Sequence, residues 1–332
     1  MKLLSHTLLP AALLALTAAP SSAQDRVTYR DRAAKGVQTA SGKVESESVA
    51  GVRVGSRIIP STDIVDVQYD VPGAVRLDYN SAVGAEATRP ADALKGYEAL
   101  LKAPAVQNSR PLKQYLEYKV AVLTAARADE GPEALQQAVA ALNKFKKDHP
   151  DAWQLVPLTR TLGRLLLTKE PPDYDAARQA YDDLARANGA PPDVKQEFTL
   201  LAIDLLLQAG KPAEAQQRLA TLPADNPRVQ VYRIGIQATV DKLADAAKQL
   251  EQLIDTTTDP SLKAAAYNML GDCYRRDPQH KKDALYAYLW VDVVYNQDPI
   301  ESAKAAARLA DLFGELKDEE RAKKYRDRLK GK

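Results

Sequence analysis

The sequence predicts a mainly α chain: a solenoid of about six helical hairpins behind a small β-barrel or β-meander. Three observations carry this. Small residues sit on helical stripes at positions 163, 202, 235, 271 and 310, at intervals of 39, 33, 36 and 39, which marks one supersecondary unit repeated along the chain. Between them runs a second stripe, an alanine followed four and seven residues later by large apolar side chains and then by Pro or Gly. Residues 25–70 differ in texture, with short β-branched runs punctuated by glycine.

The chain begins with Met1–Ala23, in which Lys2 precedes an apolar run from Leu8 to Leu16 and small residues Ser21 and Ala23 close the segment. This is the pattern of a cleaved signal peptide, so export to the periplasm or the medium is expected, with Gln24 as mature N-terminus. The apolar run is too short to span about 30 Å of hydrocarbon, and no membrane span is expected after cleavage. Cys273 is the only cysteine in 332 residues, so no intrachain disulfide can form and folding rests on packing.

Residues 24–72 form the expected β module. Val27–Tyr29, Val37, Val44, Val49–Val54 and Ile58–Ile59 are separated by Gly36, Gly42, Gly51 and Gly55, and Ile64, Val65 and Val67 follow. Four or five short strands are expected. The GVRVG and IPSTDIVDV runs make the region similar to small SH3-like or Sm-like barrels, over about 45 residues. An Sm-like barrel could bind RNA, but Asp25–Pro72 carries seven Lys or Arg against seven Asp or Glu, and the whole chain is only +2. A phosphate-tracking surface carries a clear basic excess, so a structural or protein-binding role is favoured and no nucleic-acid partner is expected. The linker at 73–88 follows Pro72 and holds Gly73 and Gly84, which predicts an irregular or strand-like passage.

Helices are expected from Arg89 to the end. Pro90 suits the first position of a helix with a stripe through Leu94, Tyr97 and Leu101, and a long helix follows from Pro111 to about Ala128. The second-helix stripe then reads Ala138-Leu142-Phe145-Pro150, Ala177-Tyr181-Leu184-Gly189, Ala215-Leu219-Leu222-Pro227 and Ala287-Val291-Val294-Pro299. Ala246-Leu250-Leu253 fits with a late Pro260, and Ala322 with Leu329 fits except at Arg326. First helices carry Leu162-Gly163, Leu201-Ala202, Ile234-Gly235, Leu270-Gly271 and Leu309-Ala310. Gly and Ala at these places let helix axes approach to the lower end of the usual 8–10 Å.

These stripes, and the run YNMLGDCY from Tyr267 to Tyr274 above all, resemble the tetratricopeptide repeat (TPR) family with its Leu-Gly-x-x-Tyr, Ala-x-x-x-Phe and Pro consensus. The periods scatter around that family's 34 residues, so connections have lengthened while packing stripes persist. The expected fold is therefore a TPR-like α-solenoid over residues 89–332. A generic helical-hairpin solenoid is the alternative. The resemblance implies that first helices line a concave groove that receives a peptide or partner protein. It places Arg160, Arg164, Tyr232, Arg233, Asn268, Arg275, Lys304 and Arg308 there, a modestly basic surface diluted by Asp272 and Asp311. Some TPRs hold a C-terminal carboxylate with a Lys/Asn/Asn/Lys/Arg clamp. Lys304 and Arg308 match its last two places, but Tyr232, Ile236 and Met269 depart from the others, so that clamp is not expected.

Catalysis has little to stand on. His149 and His280 read as solvated turn residues, Asp182-Asp183 as surface charge, Cys273 as a buried inert thiol, and Tyr286, Tyr288, Trp290 and Tyr295 as core between repeats. No metal-ligand or nucleophile motif appears, so neither catalytic residues nor a cofactor are expected. The expected function is a non-enzymatic scaffold or adaptor of the cell envelope. The alternatives are an envelope enzyme subunit whose site forms only in the fold, or nucleic-acid binding through the barrel.

Overall fold

A computed structural model describes residues 24–31, 36–238 and 242–329. The expected signal segment, Met1–Ala23, lies outside the described residues. The β region contains β1 (Arg26–Asp31), β2 (Gly36–Ser41), β3 (Val44–Ser48), β4 (Gly51–Val54), β5 (Arg57–Pro60) and β6 (Ile64–Gln68). These six strands form two antiparallel sheets, ordered β2-β1-β6 and β3-β4-β5. Alternation sets which side chains turn inward: Val27 pairs with Ala40 and Val67, and Val52 with Glu47 and Ile59. Val27, Val52, Ile59 and Val67 are all buried in one core. Gly51 is needed at its turn, with φ of +147°, where a β-carbon would overlap the Ile59 carbonyl.

The passage at 73–88 is not irregular or strand-like. It is largely helical, with α1 spanning Arg76–Ala85. Gly73 and Gly84 both face open space, so Gly84 costs only helix propensity, about 1 kcal/mol. Burial of Tyr79, Ala82 and Ala85 offsets that cost. There follow α2 (Pro90–Leu100), α3 (Pro104–Gln107) and α4 (Arg110–Ala126). The β strands and α1–α4 share one apolar core, in which Tyr97, Leu112, Tyr115 and Leu116 meet the strand valines.

From α4 onward, consecutive helices pack as six pairs: α4 with α5 (Pro132–Asp148), α6 (Leu155–Leu167) with α7 (Tyr174–Ala185), α8 (Pro192–Gln208) with α9 (Pro212–Leu219), α10 (Pro227–Gln237) with α11 (Leu243–Thr256), α12 (Pro260–Arg275) with α13 (Lys281–Val293), and α14 (Pro299–Glu315) with α15 (Glu319–Leu329). Proline opens α8, α10, α12 and α14 at N1, where its missing N–H costs no hydrogen bond. Asn226, Asp259 and Asp298 cap three of them. The alanines at 138, 177, 215, 246 and 287 are all buried, as close helix nesting requires. Glycine at 163, 235 and 271 has a specific cause: a β-carbon there would overlap Tyr181, Met269 and Tyr288 respectively.

The fold overturns several solvation expectations. Asp182 is 4% exposed and ringed by Arg178, Arg186 and Arg218, so only Asp183 of that pair is surface charge. His149 is not a free turn residue: its Nε2 lies 2.6 Å from Glu117 and its ring packs against Phe145. Tyr288 is core, but Tyr286 and Trp290 are 63% and 47% exposed, because they occupy the opposite face of α13. Trp290 stacks there on Tyr267, with Tyr295 beside it.

Two polar regions stand out inside the molecule. One is the seam between the β sheets and the helices. There Glu47 accepts from Tyr69 Oη at 2.6 Å and from Gln114 Nε2 at 3.2 Å, and Asp66 accepts from Tyr115 Oη at 2.9 Å. Burial pushes the Glu47 carboxyl above its ordinary 4.5, although the Tyr69 hydroxyl opposes the shift. The other is the cleft described next.

Candidate functional site

The candidate site is a cleft of about 700 Å3 walled by α6, α8, α12 and α14 and closed at one side by Leu329 at the end of α15. It shares Arg160, Leu201, Pro299, Ile300 and Lys304 with a second cleft of about 680 Å3. That second cleft runs along the N-terminal ends of α8, α10, α12 and α14 and is walled on one side by Arg30, Thr62 and Asp63 of the β region. The two clefts adjoin at the five shared residues and together form the trough.

The base of the trough is an ion network placed by helical spacing. Lys304 and Arg308 stand one turn apart on α14. Arg308 is 7% exposed and donates through Nη2 to Asp272 Oδ2 at 2.7 Å and to Asp204 Oδ1 at 3.0 Å, while its Nε donates to Asp272 Oδ1. Tyr288 Oη completes Asp272 at 2.8 Å, and Gln208 Nε2 reaches Asp204 Oδ2 at 2.8 Å. Lys304 donates to Tyr232 Oη at 2.7 Å and to Glu301 Oε1 at 3.3 Å. Asn268 Nδ2 donates to the Glu301 carbonyl at 3.0 Å and to its Oε2 at 2.9 Å. Arg228 reaches Asp298 at 2.5 Å.

At Asp204, Arg228, Asp298, Lys304 and Arg308 burial works against the charge, and pairing outweighs it. Burial would raise the Asp204 carboxyl, yet Lys304 and Arg308 hold it below its ordinary 3.8. Burial would likewise lower the Lys304 ammonium, but Glu301, Tyr232 and Asp204 raise it, so it stays protonated. Such a network is a structural element: removing one partner strands the others in low dielectric.

Of the eight residues expected in the groove, the trough collects five on its walls: Arg160, Arg164, Tyr232, Arg275 and Lys304, with Arg308 at its base. Asn268 is 3% exposed beneath the wall. Arg233 lines neither cleft and donates weakly to the Ala224 carbonyl at 3.5 Å. The expected basic surface is mostly neutralised from within. Arg160 makes two bonds to Glu197 at 2.7 and 2.8 Å, and Arg275 pairs with Glu315 and, at 3.7 Å, Asp311.

Arg164 differs. It donates to the Leu329 carbonyl at 2.8 Å, among the described residues no carboxylate pairs with it, and burial lowers its guanidinium pKa. Arg276, on the same cleft, donates to the Gly235 and Ala238 carbonyls at 2.9 and 2.6 Å. Both arginines are thus held by helix-end carbonyls, which leaves their net charge uncancelled by a nearby anion.

The trough is polarised along its length. The α6-side cleft has Arg160, Arg164, Arg275, Arg276, Lys304 and Arg308 against Asp204, Asp272 and Asp311. Among the described residues the N-terminal cleft has Asp63, Asp193, Glu197, Asp259, Asp298 and Glu301 with Arg30, Arg160, Arg228 and Lys304, and Asp63 and Asp193 each have a further partner. Spacing rules located the first helices but not Asp204, Arg228, Glu301 or Arg276. For Asp204 a signal existed: it is the single charge in the run LLAIDLLL. The others required knowing which helices meet.

Among the described residues, no group of three or more His, Cys, Asp or Glu is arranged to hold a metal ion, and no helix is long and apolar enough to cross a membrane. Cys273 is buried, and burial pushes its thiol up to about 11. Comparison with models of known protein families and with curated proteins finds no match.

Proposed function

We propose that this chain is a non-enzymatic interaction protein of TPR-like design, exported to the cell envelope, that holds a peptide segment of a partner protein in its trough. The observation that supports it most is the trough itself. Helices from five successive pairs (α6, α8, α10, α12 and α14) line it, with an apolar wall (Leu201, Leu205, Met269, Ile300) alongside charged groups whose positions a buried ion network fixes. Apolar lining with a few placed polar groups is what ligand clefts present, and side chains locked by their own bonds bind with less ordering cost. Export rests on the composition of Met1–Ala23.

The test is affinity capture from an envelope extract with wild-type protein and with Ala307→Trp. Ala307 is an exposed residue of α14 on the cleft wall whose side chain makes no polar contact of its own, so the indole occupies the cleft, with circular dichroism checking that the fold is kept. Loss of a captured partner in Ala307→Trp, with retention in the off-trough control Arg233→Glu, is the expected result. Equal capture by all three removes the trough as the binding site. Sequencing the mature N-terminus checks export, and a chain beginning at Met1 rejects it.

A further inference from the structure

Resting on that reading, we infer that the trough selects an extended peptide of mixed charge, with an acidic group at one end and a basic group at the other, and not the uniformly acidic ligand that its many arginines suggest. The arginines that would serve an acidic peptide are largely occupied: Arg160 by Glu197, Arg275 by Glu315, and Arg308 by Asp204 and Asp272. Arg164 and Arg276 keep their charge without a carboxylate partner, and both lie on the α6-side cleft. An anionic group is therefore accommodated at that end only.

At the opposite end Glu197, Asp298 and Glu301 are paired with Arg160, Arg228 and Lys304, while among the described residues Asp259 makes no ion pair. It only caps α12, accepting from Ser261 N at 2.9 Å. A second acidic group there meets repulsion, whereas a Lys or Arg meets an available charge. The two ends are joined by the shared wall at Leu201 and Ile300, which suits apolar side chains in between. The dimensions agree. From Asp259 to Arg276 along α12 is roughly 26 Å at 1.5 Å per residue, and eight residues of extended chain reach about 27 Å.

The experiment is calorimetric titration at low salt with four eight-residue peptides, acetylated and amidated so that only side chains carry charge. Their sequences are EEALLAKK, its reverse KKALLAEE, and the uniform EEALLAEE and KKALLAKK. One mixed-charge peptide is expected to bind about tenfold more tightly than either uniform peptide, its order revealing the chain direction. Arg164→Gln keeps a donor for Leu329, and Asp259→Asn keeps a helix cap. Each is expected to weaken the mixed peptide several-fold. Arg164→Gln is expected to leave KKALLAKK unchanged, with folding verified by circular dichroism.

Tighter binding of EEALLAEE than of both mixed peptides overturns the inference. So does equal binding of all four. If that equal binding is lost in Ala307→Trp, the trough stands as the binding site and only its charge selection falls. Binding of none overturns the inference, and partner capture then decides the trough separately.

Discussion

The seam and the trough both bury carboxylates, and they treat them in opposite ways. In the seam, Glu47 meets neutral donors, Tyr69 and Gln114, and burial raises its pKa. In the trough, Asp204 is more deeply enclosed than the half-buried Glu47, yet it meets Arg308 at 3.0 Å and lies in the field of Lys304, so its pKa falls. Desolvation acts alike on both, and the decisive quantity is whether a cation was buried alongside. The seam joins two parts of the fold and is satisfied by hydroxyl and amide bonds. The trough holds charge in fixed positions next to an open cleft, which is the arrangement that recognition of a charged ligand needs.

The largest expected effect comes from breaking the trough network. Arg308→Ala leaves Asp204 and Asp272 facing each other without their shared cation, and a loss of about 3–5 kcal/mol is expected by urea denaturation. A loss under about 1 kcal/mol shows that water reaches these carboxylates.

Next, acid separates the two regions. The folded pKa of Asp204 is below 3.8, so its contribution to stability is present above that value and is lost as pH falls through the folded pKa. Asp204→Asn should therefore be less stable than wild type at pH 7, by about 2 kcal/mol, with the gap narrowing below pH 4. A pH-independent gap assigns the effect to packing.

Glu47 has the opposite sign. Its folded pKa lies above 4.5, so its favourable contribution is full below 4.5 and is lost as pH rises through the folded value. Glu47→Gln should gain about 1 kcal/mol relative to wild type between pH 4 and pH 7, read as a Tm difference that grows with pH. A destabilised variant at pH 7 means that the carboxylate's bonds to Tyr69 and Gln114 outweigh its desolvation.

The smallest effect belongs to Arg233→Glu. Its weak carbonyl contact lies away from both regions, and a change within about 0.5 kcal/mol is expected. A larger one would tie that helix face to the network.

The helical part was legible from sequence because its signal is local and repeated. Ala138, Ala177, Ala215, Ala246 and Ala287 recur in register with the glycines, and all are buried as their period requires. Residues 73–88 failed that test because Pro72, Gly73 and Gly84 look like breakers unless one knows that Tyr79 and Ala82 are covered. The face of α13 that carries Tyr286 and Trp290 departs from the core expectation because a helix apolar on most sides does not say which side is covered.

The sequence by itself determined the class: short strand-forming runs among glycines, read as four or five strands where the fold has six, then paired helices whose small residues sit where Tyr181, Met269 and Tyr288 approach. Helix periodicity is written over three to seven residues, so it survives in one dimension. Only the tertiary structure decided which charges are spent. Arg308 meets Asp204 across 104 positions, and Arg164 meets Leu329 across 165. Pairing at that range depends on how each helix pair stacks on the next, and stacking geometry is set by the sum of many side-chain contacts. Arg160 and Arg164 occupy matching places on one helix stripe, yet one is paired to a carboxylate and the other is left with its charge uncancelled.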